Sequence, residues 1–147
     1  MDKIDSFRGK FRFLSNFYPC AITFDGLTYA SSEAAFHAQK CARREDKIQY
    51  TLLKNPIRAK QLGRRETLPD NWDDVRHEVM AAILRVKFAD PVLADKLNDT
   101  GDAYLEEGNQ WHDNFWGNCS CERCRDRVGE NRLGRILMDI RAEHRCA

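Results

Sequence analysis

Glu33 and Lys40 are the most suggestive pair of reactive groups in the chain. They lie seven residues apart, so on a helix of about 3.6 residues per turn they share a face, two turns separated. Phe36 and His37 fall on or beside that face. A carboxylate in the first turn of a helix is favoured by the helix dipole. A carboxylate and an amine aligned beside aromatic rings are the ingredients of a hydrolytic site. Glu and Lys at this spacing also occur as ordinary charges on a solvated helix. The setting argues for chemistry: the helix is short, it follows a tight hairpin, and an aromatic, Asn-containing segment precedes it. Asp113 is the best second carboxylate. It lies in 108–117, a stretch dense in Trp, His, Asp and Asn with no helical or strand period, and such loops tend to carry function.

The elements that must position these groups can be read locally. Ser31 and Ser32 are good N-caps for the Glu33 helix. Asp25-Gly26 between alternating apolar runs, 21–24 and 27–29, predicts a β-hairpin that feeds directly into that helix. Alternation of aromatic and basic residues predicts a strand over 7–13, followed by a loop in which Asn16, Phe17 and Tyr18 offer a polar and aromatic wall for a planar or sugar-bearing ligand. Helices are expected over 43–54, anchored by Ile48, Leu52 and Leu53, and over 57–62, opened by Pro56 and ended by Gly63. A long one is expected over 72–88, capped by Asp70 or Asn71 and carrying an apolar stripe. Pro91 opens another through 97, 103–107 reads as a short strand, and the last helix runs from 132 to about 144. Its start, Gly129-Glu130-Asn131, is expected to seat an anion with help from Arg132 and Arg135. Arg58, Lys60, Arg64 and Arg65 make a basic segment able to meet phosphate.

A chain of 147 residues is large enough for one domain with a real core. Hydrophobic residues are 42% and charged residues 32%, with a formal net charge of +1. That balance argues against a strongly basic coat for nucleic acid or a polybasic membrane tail. No apolar run approaches the roughly 20 residues needed to span a bilayer, and the first residues lack a signal peptide's apolar core, so a cytoplasmic location is expected. Neither a P-loop nor a dinucleotide fingerprint occurs. Of the six cysteines, Cys119, Cys121 and Cys124 form C-x-C-x2-C. They read either as reduced thiols or as a structural zinc knuckle lacking one local ligand. Cys146, Cys20, His112 or His144 could supply the fourth.

An ordered set of motifs adds to this reading. F-x-F-L-S-N-F (11–17), Y-x-S-x-E (29–33) continuing to A-Q-K (38–40), N-W (71–72), D-x-x-W-G (113–117) and G-x-N-x-L-G-x-x-L-M-x-I-R (129–141) together resemble the NADAR, or YbiA-like, family over nearly the whole chain. The resemblance implies an α+β fold: one compact domain over 1–147, mostly helical with a small antiparallel β element. It also implies an N-glycosidase that needs no metal or other cofactor for catalysis. Two substrate classes come with it. One is ADP-ribose joined to guanine in nucleic acid or nucleotide, which the basic residues favour slightly. The other is the phosphorylated early intermediates of riboflavin biosynthesis. A non-catalytic nucleotide- or ADP-ribose-binding module is the remaining alternative. No membrane and no stable protein partner are expected.

Carried over by position, the family pattern marks Glu33, Lys40, Trp72, Asp113, Trp116 and Asn131. Glu33, Lys40 and Asp113 are then the catalytic set, in an order left open among acid, base and nucleophile. Phe17, Trp72 and Trp116 would stack on the base, with Asn16 and Gly117 beside them. Arg8, Arg132 and the helix start at Asn131 would hold phosphate. The C-x-C-x2-C insert departs from the minimal family pattern.

Overall fold

The computed structural model describes residues 2–147. The fold is α+β, with helices predominating and strands confined to two-stranded pairings. The chain packs as two units. One is the continuous segment Asn16–Asp90, and the other combines the chain up to Ser15 with Pro91–Ala147.

In the continuous unit, strands β2 (Ile22–Phe24) and β3 (Leu27–Tyr29) form the expected antiparallel hairpin, with Phe24 opposite Leu27 and Ile22 opposite Tyr29. Its turn needs two left-handed residues, supplied by Asp25 at φ 50° and Gly26 at φ 80°. Helix α1 (Ser32–Ala38) starts at once, capped by Ser31, whose hydroxyl accepts a bond from the Ala34 N–H at 3.1 Å. Helix α2 (Arg44–Thr51) is shorter than the sequence predicts. Two of its three expected anchors are exposed, Ile48 at 43% and Leu52 at 76%, while Tyr50 is the side chain that goes inside. Helix α3 (Pro56–Gly63) begins as expected, with Pro56 in its first turn and Asn55 Oδ1 accepting from the Ile57 N–H at 2.9 Å. Helix α4 (Trp72–Lys87) buries Trp72, Met80, Ala81, Ile83 and Leu84 on one face. Its preceding Asn71 makes no side-chain cap.

In the other unit, strand β1 (Lys3–Ile4) pairs in parallel with β4 (Tyr104–Leu105), and β5 (Gly108–Asn109) with β6 (Asn118–Cys119). The strand expected over 7–13 is instead a 3-10 helix, Gly9–Leu14. A strand would send Phe13 and Leu14 to opposite faces, whereas both are buried here. Gly9, at φ 56°, turns the chain out of the extended conformation. Helices α5 (Pro91–Asn98) and α6 (Arg132–Cys146) pack together. Leu133, Ile136, Leu137 and Ile140 form the buried stripe of α6, each contributing about 1.5–3 kcal/mol of apolar burial. Arg141 is also buried, with its guanidinium satisfied by Thr100 Oγ1 and the Ala103 carbonyl, both at 2.8 Å. No helix among the described residues is long and apolar enough to cross a membrane.

Candidate active site

Asn16 and Ser32 set the aim of α1. Ser32 donates its hydroxyl to Asn16 Oδ1 at 2.8 Å, and the Glu33 N–H donates to the Asn16 carbonyl at 3.1 Å. Asn16 is buried, and its amide also reaches Met80 Sδ at 3.6 Å. Asn16 therefore holds the first turn of α1, where Glu33 sits near the positive end of the helix dipole.

Glu33 does not stand alone. His37 lies one turn on, and its Nε2 is 2.6 Å from Glu33 Oε1, with both side chains largely buried. An ionised Glu33 accepts from Nε2–H. Nδ1 is buried without a hydrogen-bond partner. It faces Gly63, where an added Cβ would come within 2.1 Å of it. The ring therefore fits only because position 63 has no side chain.

Lys40 is less regular than its spacing suggests. Helix α1 ends at Ala38, and the N–H groups of Gln39, Lys40 and Cys41 each bond three residues back. This tightened turn, rather than a continued α-helix, sets where Lys40 points. Its Nζ donates to the Gly63 carbonyl at 3.2 Å. Partial burial lowers its pKa from the usual value, opposed by the charges of Glu33 and then Glu66. Lys40 is therefore electrostatically coupled to Glu33 and has a larger neutral fraction than a solvated lysine. The neighbouring Cys41 donates to Glu66 Oε2 at 3.1 Å, and burial followed by that bond pushes its thiol up to about 12. It is no nucleophile at neutral pH.

Of the expected stacking groups in this unit, Phe17 is 37% exposed, with Lys60 Nζ 5.8 Å from its ring centre. Trp72 is 5% exposed and packs on Phe36 with centroids 5.3 Å apart. Its ring is a core contact behind α1, so the face offered to a ligand comes from Phe17.

The remaining expected residues belong to the other unit. Asp113 Oδ1 accepts from the N–H groups of Phe115 at 3.1 Å and Trp116 at 2.9 Å, folding the loop over itself. Trp116 is half-buried and meets Phe115 edge-on at 4.7 Å. Gly117 is required by close backbone approach, since a Cβ there would sit 2.1 Å from the Glu107 carbonyl oxygen. Asn109, given no role by the sequence, organises the loop. It is buried, donates to the Asp113 carbonyl at 2.8 Å, and accepts from the N–H groups of Trp111 and Asp113, both at 3.2 Å.

The anion seat expected at the start of α6 is closed. The N–H groups of Glu130, Asn131, Arg132 and Leu133 are taken by the carbonyls of Asn114, Gly117, Phe115 and Trp116. The Asn131 side chain is committed as well. Its Oδ1 accepts from the Glu107 N–H at 3.0 Å and its Nδ2 donates to the Leu105 carbonyl at 2.8 Å. Arg132 pairs with Glu130 at 3.0 Å and lies 4.4 Å over the Phe115 ring. Arg8 is exposed just before the 3-10 helix and remains accessible to an anion. Of the four proposed partners for the cysteine cluster, His112 is the one that converges with Cys119, Cys121 and Cys124.

Known proteins share this architecture. The chain is 40% identical over 136 residues to a riboflavin biosynthesis protein of Vibrio vulnificus, covering 89% of this chain and 35% of that protein. It thus spans about a third of that relative's length. It is 33% identical over 132 residues to the N-glycosidase YbiA of Escherichia coli, covering 88% of this chain and 79% of that one. An N-glycosidase of Nostoc punctiforme is 34% identical over 137 residues, covering 89% and 84%. The solution NMR structure of Escherichia coli YbiA superposes with a TM-score of 0.82 at 30% identity, covering 99% of this chain and 86% of that one. The NADAR domain model matches residues 6–145, a span that takes in most of both packing units and every residue of the candidate site; the chain belongs to the NADAR domain family.

Proposed function

We propose that this chain is an N-glycosidase that hydrolyses the C–N bond between a ribosyl phosphate and a heterocyclic base, with Glu33 and Lys40 as its reacting groups. The observation that carries this reading is the 2.6 Å Glu33–His37 bond beside a lysine whose pKa is lowered by burial. His37 positions the carboxylate. As the sugar opens, the C1–O4 bond breaks, the proton on the linking base nitrogen passes to O4, and C1 becomes doubly bonded to that nitrogen. Lys40, in its neutral fraction, adds to C1; its two amine protons pass to the base nitrogen, the C1–N bond to the base breaks, and the base leaves as its free amine with Lys40 held to C1 as an imine. Water then attacks the resulting imine carbon, Glu33 accepts its proton, and the Lys40 amine is released.

For the substrate, the phosphorylated early intermediates of riboflavin biosynthesis are the first choice. The name of the Vibrio relative supports them, as does the small number of cations that one phosphate needs. ADP-ribosyl-guanine is the second. It is favoured by the exposed Arg58, Arg64 and Arg65 with Lys60 beside the Phe17 ring, a basic and aromatic surface suited to a diphosphate and a base.

The test is a product assay by liquid chromatography and mass spectrometry on both substrates. Ribose 5-phosphate with free pyrimidine supports the first, and ADP-ribose with intact guanine the second. Ligand binding by calorimetry with no product from either would replace the enzyme with a binding module.

A further inference from the structure

The C-x-C-x2-C segment plays no part in the reaction described above, yet its geometry is specific. His112, Cys119, Cys121 and Cys124 each present one donor atom, and the four lie within 4.8 Å of one another. His112 Nδ1 is 3.2 Å from Cys121 Sγ, 3.4 Å from Cys124 Sγ and 4.0 Å from Cys119 Sγ. For tetrahedral zinc, with Zn–S about 2.3 Å and Zn–N about 2.0–2.1 Å, the N···S edges should be roughly 3.5–3.6 Å. The observed distances bracket that length.

Two further features fit a metal better than reduced thiols. Cys119 Sγ accepts backbone N–H groups from His112 at 3.3 Å and Cys121 at 3.5 Å. Such bonds favour the thiolate, the form that binds metal. The cluster also lies where apolar burial is small. Within 120–128, Cys124 is the only buried residue, and Val128 is 94% exposed. Yet this stretch forms a 3-10 turn, Glu122–Cys124, that buries Cys124, and His112 takes a left-handed backbone at φ 68°. Apolar burial there cannot offset the conformational entropy of nine ordered residues.

We propose that His112 Nδ1 and the thiolates of Cys119, Cys121 and Cys124 bind one zinc ion that staples the loop carrying Asp113 and Trp116. His112 immediately precedes Asp113, and Cys119 lies two residues after Gly117, so the ion ties the two ends of 113–117 together. Three thiolates and one imidazole suit zinc; a four-thiolate iron–sulfur centre is not offered. All four positions are filled by protein, which is the form of a structural rather than a catalytic site. Binding deprotonates the thiols and leaves one net negative charge on the centre. The exposed Arg123, Arg125 and Arg127 lie on the same loop and add positive charge to it. Ligation through Nδ1 puts the ring proton on Nε2. The Arg123 guanidinium, now 3.3 Å from Nε2, can only donate and turns towards the sulfurs.

The test uses untagged full-length protein, purified reduced and without chelator. Elemental analysis should find about one equivalent of zinc, or zinc titration should fill one site. Cobalt(II) in its place should show the thiolate-to-metal absorption of a tetrahedral centre with three sulfur ligands and one nitrogen. Tryptic cleavage after Arg123 should be slow, and at least tenfold faster once the metal is stripped. Cys121→Ser and His112→Ala should each weaken zinc binding at least tenfold. If a variant fails to fold, protection of the three thiols from a thiol reagent by added zinc in the unaltered protein replaces that arm. Less than half an equivalent with no uptake from added zinc would overturn the proposal. So would a full equivalent that survives both substitutions.

Discussion

Gly63→Ala tests the architecture around Glu33 most directly. The new Cβ would lie 2.1 Å from His37 Nδ1, 2.4 Å from its Cγ and 2.8 Å from its Cβ. Heavy atoms settle at roughly 3.5–4.0 Å, so the ring must retreat by more than an ångström. It has little room, since its side chain is 8% exposed, its far nitrogen is held by Glu33 at 2.6 Å, and the Phe36 ring meets it edge-on at 5.5 Å. Overpacking of this kind costs about 1–3 kcal/mol. Alanine returns part of that, up to about 1 kcal/mol of helix propensity, and less at the last residue of a helix. The net loss expected is about 1–2 kcal/mol, or roughly 2–8 °C in Tm for a chain of this size. Turnover should fall as well, because the displaced ring carries Glu33 with it. The assay is a double-mutant cycle by thermal and urea denaturation. With His37→Ala already present the clash is gone, and Gly63→Ala should become neutral or slightly stabilising, giving a coupling of about 2 kcal/mol. Equal losses in both backgrounds, or none in the unaltered protein, would refute the packing argument.

Other consequences can be measured independently. Glu33→Gln and Lys40→Ala should each cut turnover by about 10²–10⁴-fold with an unchanged Tm, and borohydride during turnover should trap sugar on Lys40. Turnover without a trapped adduct would make Lys40 a proton donor instead. Lys87 is fully buried, and burial lowers its pKa from 10.5 to about 8, with Cys20 opposing. Between those values the unfolded chain holds a proton that the folded chain has lost, so stability should rise by about 1 kcal/mol from pH 8 to 9. Lys87→Met should flatten that rise in urea titrations, and an unchanged slope would show that another group titrates. Asn131→Ala would strand the Glu107 N–H and the Leu105 carbonyl, costing about 2–4 kcal/mol. A Tm within about 2 °C of the parent would remove Asn131 from its structural role.

The sequence made some of this arrangement legible and concealed the rest for identifiable reasons. The hairpin at Asp25-Gly26, the Ser31 cap and the α4 and α6 stripes depend on neighbours in the chain, and local chemistry suffices for them. The 3-10 helix at Gly9–Leu14 escaped because its residue types alternate as a strand's do, while its burial follows tertiary contacts. Glu33 and Lys40 stood out by spacing. His37 was seen on that face but given no work: its bond to Glu33 is one turn long and local, whereas the room for its ring depends on a glycine 26 residues later. Asn131 was legible as a special position and misleading as to purpose. Its amide joins backbone groups at Leu105 and Glu107, partners no local pattern reveals.

The parallel pairing of Lys3 with Tyr104 and of Ile4 with Leu105 has a consequence for how the molecule is made. During synthesis the first strand must wait for about a hundred further residues before its partner exists. By then the continuous segment Asn16–Asp90 has long been available to fold by itself, using contacts within its own 75 residues. Loop closure over so long a span is slow, and unpaired strand edges invite wrong partners in the interval. The order of assembly is therefore inside-out: the middle of the chain first, then its beginning and its latter part together. Pulse-labelled hydrogen exchange should show amides of Ile22–Phe24 and α4 protected before those of Tyr104 and Glu106. Simultaneous protection would mean that the long closure does not limit folding.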